Sequence, residues 1–231
     1  MKLAHKVSIG ICDPGTVNGD FSARLYQLAQ SRSDRLGPLV RVKGSGLLSK
    51  MRNKVVKTFL DHTKSDWLLM IDTDEQLTLK AFDLLVDAAH DKDRPIMSGL
   101  VFAAMDAGQS LYPKPMPTIF QDTERGFVPL DNYDKNAVFE VEAAGTGCLL
   151  IHRSVFEKMR ENADVHQGPD YCWFWDGPMN GIWTGEDLIF SRRVRSLGFP
   201  IYVNTAAVLP HQKSYWLAEE HHDEWQNNQK K

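Results

Sequence analysis

The sequence predicts an α/β protein in which helices flank a mostly parallel sheet. Short apolar segments of strand length alternate with longer segments of helical period along most of the chain, an order typical of doubly wound sheets. Residues 67–71 are apolar without interruption, as in a central strand that is covered on both faces. The 231 residues suffice for one large domain, and no linker divides them. We therefore expect a single domain whose ligand crevice lies beyond the carboxyl ends of the strands.

The first half of the chain repeats a unit of one strand and one helix. Each predicted helix places its apolar residues on one stripe, as Met51, Val55 and Phe59 illustrate, and follows a polar residue that can cap it. The predicted strands are residues 7–12, 39–42, 67–71 and 96–102. The predicted caps of the three intervening helices are Asp20, Ser49 and Thr78. These strands are expected to lie parallel, because a helix connects each strand to the next.

The middle of the chain is less regular. Glycine and proline interrupt residues 103–137, where we expect loops and a short edge hairpin. Residues 138–151 are expected to form one or two strands, interrupted at Gly145-Thr146-Gly147. A short helix that Ser154 can cap follows them.

The last third ends the predicted sheet. After an aromatic loop at residues 164–184, the pattern predicts a helix over 186–197 that ends at Gly198, in the usual position of a terminating glycine. The last strand is expected at residues 201–209. This organisation divides the chain into a domain at residues 1–213 and a polar tail at residues 214–231.

Composition and charge exclude several functional classes. The net charge of −3 provides no field that would draw the molecule onto nucleic acid, so no general nucleic-acid affinity is expected. The longest apolar run is far shorter than the roughly 20 residues of a membrane span, and the N-terminus lacks the apolar core of a signal peptide. The three cysteines, Cys12, Cys148 and Cys172, have no C-x-x-C spacing, which argues against disulfides and structural zinc. We expect a cytoplasmic protein without a membrane span.

Two carboxylates directly follow the most apolar predicted strand. In Asp72-Thr73-Asp74, side chains two residues apart are expected to project to the same side, where they suit a divalent cation. The alternative is a solvated turn, because Asp91-Lys92-Asp93 has the same spacing within a charged stretch. Asp72 and Asp74 are therefore favoured as the cation site because they lie at the predicted ligand edge of the sheet, and not because of their spacing.

Two further candidates lie later in the chain. Glu186 and Asp187 open a predicted helix, where free backbone N–H groups and the helix dipole keep a carboxylate ionised and able to accept a proton. The alternative is that these acids only cap the helix. His211 follows the last predicted strand and is either a metal ligand or a structural histidine.

Taken in order, these segments resemble the nucleotide-sugar-dependent glycosyltransferases of the GT-A fold, in particular the large inverting family that includes polysaccharide synthases. The resemblance covers most of residues 5–213. Compact members of this kind occur in bacteriophages, and the sequence is similar to those. The segments that carry the resemblance are residues 7–15, Arg52-Asn53, Asp72-Thr73-Asp74, Gly145-Thr146-Gly147, Gly185-Glu186-Asp187 with Arg193 and Gly198, and His211.

The resemblance implies a Rossmann-like sheet and a metal-dependent reaction. A sugar would move from a nucleoside-diphosphate sugar to an acceptor hydroxyl, with inversion at the anomeric carbon. Asp74 and His211 would bind Mn²⁺ or Mg²⁺, and Asp72 would contact the ribose or support the metal. Asp187 matches the position of the catalytic base, with Glu186 as its orienting neighbour or as the base itself.

The resemblance also implies a nucleotide-sugar site. Asp13, Arg52 and Asp72 would line the nucleotide, and Gly147 and Trp183 are expected at the same site. A UDP-sugar is the favoured partner, and a GDP-sugar is the alternative. The loop that begins at Asp13 departs from the commoner Pro- or Thr-Asn-containing loop of the family, which leaves the identity of the nucleobase open.

An aromatic segment precedes the candidate base. Residues 171–175 and Trp183 can stack on the C–H faces of a donor or acceptor sugar, or they can pack as the local core of a loop. The sequence leaves both interpretations open.

Two other functions share this predicted topology. A sugar-phosphate nucleotidylyltransferase would need a glycine-rich, basic phosphate loop, whereas residues 10–15 contain an acid and no Lys or Arg. A catalytically inactive nucleotide-sugar-binding module is the non-enzymatic alternative. The donor sugar, the stereochemistry and the oligomeric state stay open, as does the acceptor, which could be a protein side chain, a modified nucleobase, a glycan or a metabolite.

Overall fold

Strands and helices alternate along most of the chain. The computed structural model describes residues 6–44, 46–105, 113–124, 126–162, 172–214 and 218–229. The helices in these residues are α1 (Gly19–Ser31), α2 (Leu48–His62), α3 (Leu79–Ala88), α4 (Arg153–Glu161), α5 (Glu186–Ser196) and α6 (Glu219–Gln229). The strands are β1 (Val7–Asp13), β2 (Leu36–Lys43), β3 (Trp67–Ile71), β4 (Ile96–Met105), β5 (Lys114–Pro117), β6 (Ile119–Thr123), β7 (Gly126–Pro129), β8 (Val138–Val141), β9 (Ala143–Ala144), β10 (Cys148–His152), β11 (Gly177–Met179), β12 (Ile182–Thr184) and β13 (Ile201–Leu209).

The central sheet is mostly parallel, as the sequence predicts. Its strands lie in the order β2-β1-β3-β10-β4-β13-β8, and β5 pairs with β4. β2, β1, β3, β4 and β13 run in one direction, whereas β10, β8 and β5 run against it. The carboxyl ends of β1, β3, β4 and β13 therefore meet at one edge of the sheet, where β10 begins.

The helices cover both faces of this sheet. Side chains of β3 alternate between the two apolar layers, with Leu68 and Met70 in one and Leu69 and Ile71 in the other. The first layer includes aromatic residues of α2, α4 and α5, and the second includes residues of α1 and α3. Burial of each large apolar side chain contributes roughly 1.5–3 kcal/mol, so these layers hold the sheet edge in place. The prediction of a central strand at residues 67–71 is confirmed.

The helix starts differ from the expected ones at three of four positions. Thr78 caps α3 as predicted, because its hydroxyl accepts a hydrogen bond from the backbone N–H of Ala81 at 3.1 Å. The other three caps are wrong because the helices begin earlier than their apolar stripes indicate. Asn18 caps α1, His152 caps α4, and α2 begins at Leu48 without a side-chain cap.

The irregular middle segment forms short strands. β6 and β7 form the expected hairpin, whereas residues 106–112 of the same segment lie outside the described part of the chain. Residues 138–151 form three strands, β8, β9 and β10, rather than the one or two expected. Gly198 follows the end of α5 with a φ of 87°, which confirms its expected role. Among the described residues, no helix has both the length and the apolarity needed to cross a membrane.

Candidate active site

The segment after β3 is a turn held between two strands. The backbone N–H of Asp72 donates to the carbonyl oxygen of Gly147 at 3.0 Å, and the N–H of Glu75 donates to the carbonyl of Asp72 at 3.2 Å. On the other side, the N–H of Gln212 donates to the carbonyl of Asp74 at 2.8 Å. Residues 72–74 therefore form a turn rather than a continuation of β3, and Asp72 and Asp74 still line the same cavity. The turn directs the two carboxylates to different partners.

Asp74 meets His211 at the end of β13. The Nε2 atom of His211 lies 3.0 Å from Oδ2 of Asp74, and Nδ1 donates to the carbonyl of Phe102 at 2.9 Å. The hydrogen bond to Asp74 raises the pKa of His211 and lowers the pKa of Asp74. Lys213 lies 3.4 Å from the same carboxylate oxygen. Because Nδ1 must carry a proton to bond a carbonyl, Nε2 is the nitrogen that can ligate a metal.

Glu75 is a buried acid that the sequence analysis missed. Its side chain is 1% exposed, and neither carboxylate oxygen has a hydrogen-bond partner within the described residues. Burial raises the pKa of Glu75 to about 9, and the Asp72 and Asp74 carboxylates add to the rise. A Cβ atom at position 147 would lie 3.2 Å from Oε1 of Glu75, so Gly147 leaves room beside this carboxyl group.

Asp74, Glu75 and His211 form a group that can hold a divalent cation. Their potential ligand atoms all lie within 4.8 Å of one another. Two carboxylates and an imidazole suit Mn²⁺, and the carboxylates also suit Mg²⁺. The buried oxygens of Glu75 gain a partner if a cation binds here, which offsets the cost of burying them. The donor set therefore fits the metal that the resemblance implies.

Arg52 connects the turn after β3 to the start of α5. This arginine is almost fully buried, and its Nη2 atom donates to Oδ1 of Asp72 at 3.1 Å, while Nη1 donates to Oε1 of Glu186. The single positive charge of the guanidinium is shared between two carboxylates, so the three groups together keep a net negative charge when both acids are ionised. Arg52, Asp72 and Glu186 are thus brought together, as a bridge between two parts of the site.

Asp187 lies in the first turn of α5 beside this bridge. Its Oδ1 atom accepts a hydrogen bond from the backbone N–H of Leu188 at 2.8 Å. Burial raises the pKa of Asp187 to about 6, and the neighbouring charge of Glu186 adds to the rise. A Cβ atom at position 145 would lie 3.6 Å from Oδ2 of Asp187. The glycine-containing segment before β10 therefore lies close to Asp187 at one end and to Glu75 at the other.

A cavity of about 510 Å³ opens on the other side of the turn. Asp72 and Asp74 line it together with Cys12, Pro14 and Met51. Asp13 does not line this cavity. Its side chain is 1% exposed, and it accepts hydrogen bonds from the N–H of Gly15 and the guanidinium of Arg41, which lower its pKa. The cavity is of a size that a nucleotide can fill.

Two of the four aromatic residues described in this loop are packed in the interior. Trp173 and Phe174 are buried, the indole of Trp173 donates to the carbonyl of Phe156 at 2.9 Å, and the ring of Phe174 stacks on Phe190 with centroids 4.5 Å apart. Tyr171 lies outside the described residues. Trp183 differs from these residues, because 73% of its side chain is exposed.

Comparison with solved structures identifies the type of fold. The structure of A197 from STIV matches with a TM-score of 0.54 at 15% sequence identity, over 92% of this chain and 97% of that one. The structure of GalNAc-T7 with UDP, GalNAc and Mn²⁺ matches with a TM-score of 0.58 at 12% identity, over 91% of this chain and 43% of that one. The chain has a GT-A-like fold. No protein-family model and no curated protein sequence matches it.

In this GT-A-like fold, the predicted site residues fall into three places. Asp74 and His211 lie together, with Glu75 beside them. Arg52, Asp72, Glu186 and Asp187 lie around the start of α5, and Gly147 lies between the two groups. Asp13 and Trp183 belong to neither group: Asp13 is the last residue of β1, and Trp183 lies in β12. The signal for Glu75 was present in the sequence as a third acid after the buried strand, but its burial depends on residues far away in the chain.

Proposed function

We propose that this protein is a divalent-cation-dependent glycosyltransferase that uses a nucleoside-diphosphate sugar. The observation that carries the proposal is the group Asp74-Glu75-His211, which could hold a metal ion, at the carboxyl edge of a GT-A-like sheet. The segment from Gly145 to Gly147 lies close to Asp187 at one end and to Glu75 of this group at the other. The fold supports a transferase in general, and the neighbour that was crystallised with UDP and Mn²⁺ supports this choice of donor and metal.

The cation would be held by Asp74, Glu75 and the Nε2 atom of His211. When bound, it supplies a Lewis acid that stabilises the negative charge of the departing diphosphate. Mn²⁺ and Mg²⁺ both stay candidates. Asp72 serves the nucleotide side rather than the metal group, because its carboxylate is paired with Arg52 and lines the neighbouring cavity.

Asp187 is the proposed base. Its carboxylate takes the proton of the acceptor hydroxyl as that oxygen bonds to the anomeric carbon, and the bond from this carbon to the diphosphate breaks with its electron pair on the leaving group. Attack from the face opposite the leaving group inverts the anomeric configuration. Glu186 is the less suitable base, because its carboxylate is ion-paired with Arg52.

The nucleotide is proposed to occupy the cavity beside Asp72. UDP is the favoured nucleotide and GDP the alternative. Asp13 holds Arg41 and the turn at Gly15 by hydrogen bonds. We propose that it supports the nucleotide site in this way rather than by contacting the nucleobase. The resemblance to compact bacteriophage members and the domain limits at residues 1–213 stay predictions.

Calorimetry with UDP and Mn²⁺ tests the metal group. Asp74→Asn and Glu75→Gln replace a carboxylate with a poorer, neutral ligand of the same shape, so each is expected to weaken Mn²⁺-dependent UDP binding by about tenfold or more. Asp91→Asn is the matched control, since it makes the same change in the other D-x-D sequence. It is expected to bind as the wild type does.

Turnover separates this function from its alternatives. Hydrolysis of a UDP-sugar by the wild type should require Mn²⁺ or Mg²⁺ and should stop with EDTA. Equal hydrolysis in the presence of EDTA would contradict the metal assignment. Release of pyrophosphate from a nucleoside triphosphate and a sugar phosphate would indicate a nucleotidylyltransferase, and UDP binding without any turnover would indicate a binding module.

A further inference from the structure

A second cavity, of about 190 Å³, lies next to the first turn of α5. Phe127 of β7 and Trp183 of β12 form part of its wall. Another part is formed by Gly185, which precedes α5, and by Leu188 and Arg192 of α5. Asp187 lies between two of these residues in the same helical turn. The cavity therefore lies against the helical turn that carries Asp187, although Asp187 does not itself line it.

Trp183 is presented to solvent by a tight hairpin. β11 and β12 pair antiparallel, with Trp183 opposite Pro178, and the connecting residues Asn180 and Gly181 have φ angles of 52° and 79°. Positive φ at both central residues is the geometry of the tight turns that match the twist of paired strands. The hairpin thus fixes the backbone that carries this exposed indole, so that no loop has to be ordered on binding.

The charges around this cavity disfavour an anionic ligand. The guanidinium of Arg192 is bonded to Asp122, with Nε 2.9 Å from Oδ2, and lies over the ring of Phe127 at 4.9 Å. Its charge is therefore already balanced. Glu124 adds a carboxylate to the lining. Among the described residues that line the cavity, Glu124 is the one acid and Arg192 the one cation, and the others are glycines, apolar residues, Asn180 and Thr184.

We propose that this cavity binds the acceptor and that the acceptor is a neutral glycan. The inference rests on the proposed transferase function. The C–H face of a pyranose ring is flat and apolar, which matches the exposed indole of Trp183, and its hydroxyl groups can donate hydrogen bonds to a carboxylate such as Glu124. A hydroxyl of a sugar held here lies beside the helical turn that carries Asp187.

Saturation-transfer NMR with simple sugars tests the proposal without requiring turnover. The probes are methyl β-glucoside, methyl β-galactoside and cellobiose, with glucose 6-phosphate as an anionic comparison and a serine-containing peptide as a protein-type comparison. Trp183→Ala is expected to weaken binding of the best neutral probe by about tenfold, and Trp183→Phe by less, because a ring remains. Trp225→Ala removes another tryptophan that is 55% exposed, on α6, and is expected to change nothing.

The outcomes separate the glycan site from the transferase assignment. Calorimetry with UDP and Mn²⁺ on the same Trp183→Ala protein should give the wild-type affinity. The glycan site is overturned if UDP binds normally but no neutral probe binds the wild type, if Trp183→Ala binds the probes as tightly as the wild type does, or if the phosphorylated sugar or the peptide binds more tightly. If the wild type itself does not bind UDP in the presence of Mn²⁺, the proposed transferase function is contradicted instead.

Discussion

Asp187 lies in a first helical turn, where an ionised acid is ordinarily stabilised, yet burial raises its pKa to about 6. An acid whose pKa is higher in the folded state favours folding of the protonated form. The contribution of Asp187 to the free energy of unfolding is therefore complete below the ordinary pKa of about 4, and it is lost as the pH rises through 6. At pH 8 the folded protein therefore carries the cost of an ionised, partly buried carboxylate.

Asp187→Asn should separate stability from catalysis. The amide cannot accept a proton, so kcat is expected to fall by about 10² or more while the affinity for UDP changes little. At pH 8 the same variant should have a higher melting temperature than the wild type, because its free energy of unfolding rises by on the order of 3 kcal/mol. At pH 4 the two proteins should melt at the same temperature. Single-turnover transfer and thermal unfolding at the two pH values measure both effects.

The control for this variant is Asp20→Asn, the same change in the first turn of α1. It should leave transfer unchanged. In the wild type, kcat should rise with pH through about 6 and then level off. A lower melting temperature for Asp187→Asn at pH 8, together with unchanged transfer, would mean that this acid only caps the helix.

The sequence was informative for residues whose role follows from local position. Asp74 and His211 were expected as metal ligands, and the structure brings them within hydrogen-bonding distance. Glu75 was missed because the burial of its carboxyl group depends on segments that are distant in sequence, among them His211, whose Nδ1 lies 3.4 Å from Oε1 of Glu75. Its assignment as a ligand stays a proposal, as do the roles of the other site residues.

At the scale of elements, α2 holds two separate parts of the molecule. Arg52 reaches the site, and the next residue, Asn53, reaches the aromatic loop. The side chain of Asn53 accepts hydrogen bonds from the N–H groups of Trp173 and Phe174 at 2.8 and 2.9 Å and donates to the carbonyl of Phe174 at 2.7 Å. One amide thus replaces the regular backbone pairing that this loop lacks.

Asn53→Ala should destabilise the protein through the loop. Two backbone N–H groups next to buried rings lose their acceptor, and an unsatisfied buried donor costs about 1–3 kcal/mol, so the free energy of unfolding is expected to fall by roughly 2–4 kcal/mol. Urea unfolding measures the change. Lys54→Ala, at an exposed position on the same helix, is the control and should stay within about 0.5 kcal/mol of the wild type. An equally small effect of Asn53→Ala would show that the aromatic packing alone fixes the loop.

Periodicity predicted most of the elements but not all of their pairing. β1 to β4 and β13 follow from apolar segments, since burial on one or both faces leaves a local pattern. The reversed direction of β10 and the two-residue strand β9 depend on which edges are vacant in the folded sheet, and this information is not local. The same limit applies to the turn at Asp72-Thr73-Asp74, which is held by backbone hydrogen bonds to Gly147 and Gln212, two residues that are distant in sequence.

At the scale of the whole molecule, α6 contributes little to the core. Its described side chains are exposed or half-buried, and none belongs to either apolar layer. Deletion of residues 214–231 is therefore expected to leave the melting temperature within about 2 °C of the full chain and UDP binding unchanged. Circular dichroism and calorimetry provide the two measurements. Lys213 is kept because it lies near Asp74. A fall of more than about 5 °C would show that the tail is part of the domain.

The position of β10 between β3 and β4 has a consequence for synthesis. When the ribosome has completed β4, the partner that separates β3 from β4 has not yet been made, because it begins 43 residues further along at Cys148. During that interval the edges of β3 and β4 that will pair with β10 are unpaired, and so is the edge of β4 that will pair with β13, a state that is open to aggregation. For the same reason, a chain cut between β7 and β8 should give two fragments that are each poorly soluble alone and that recover the sheet when they are co-expressed.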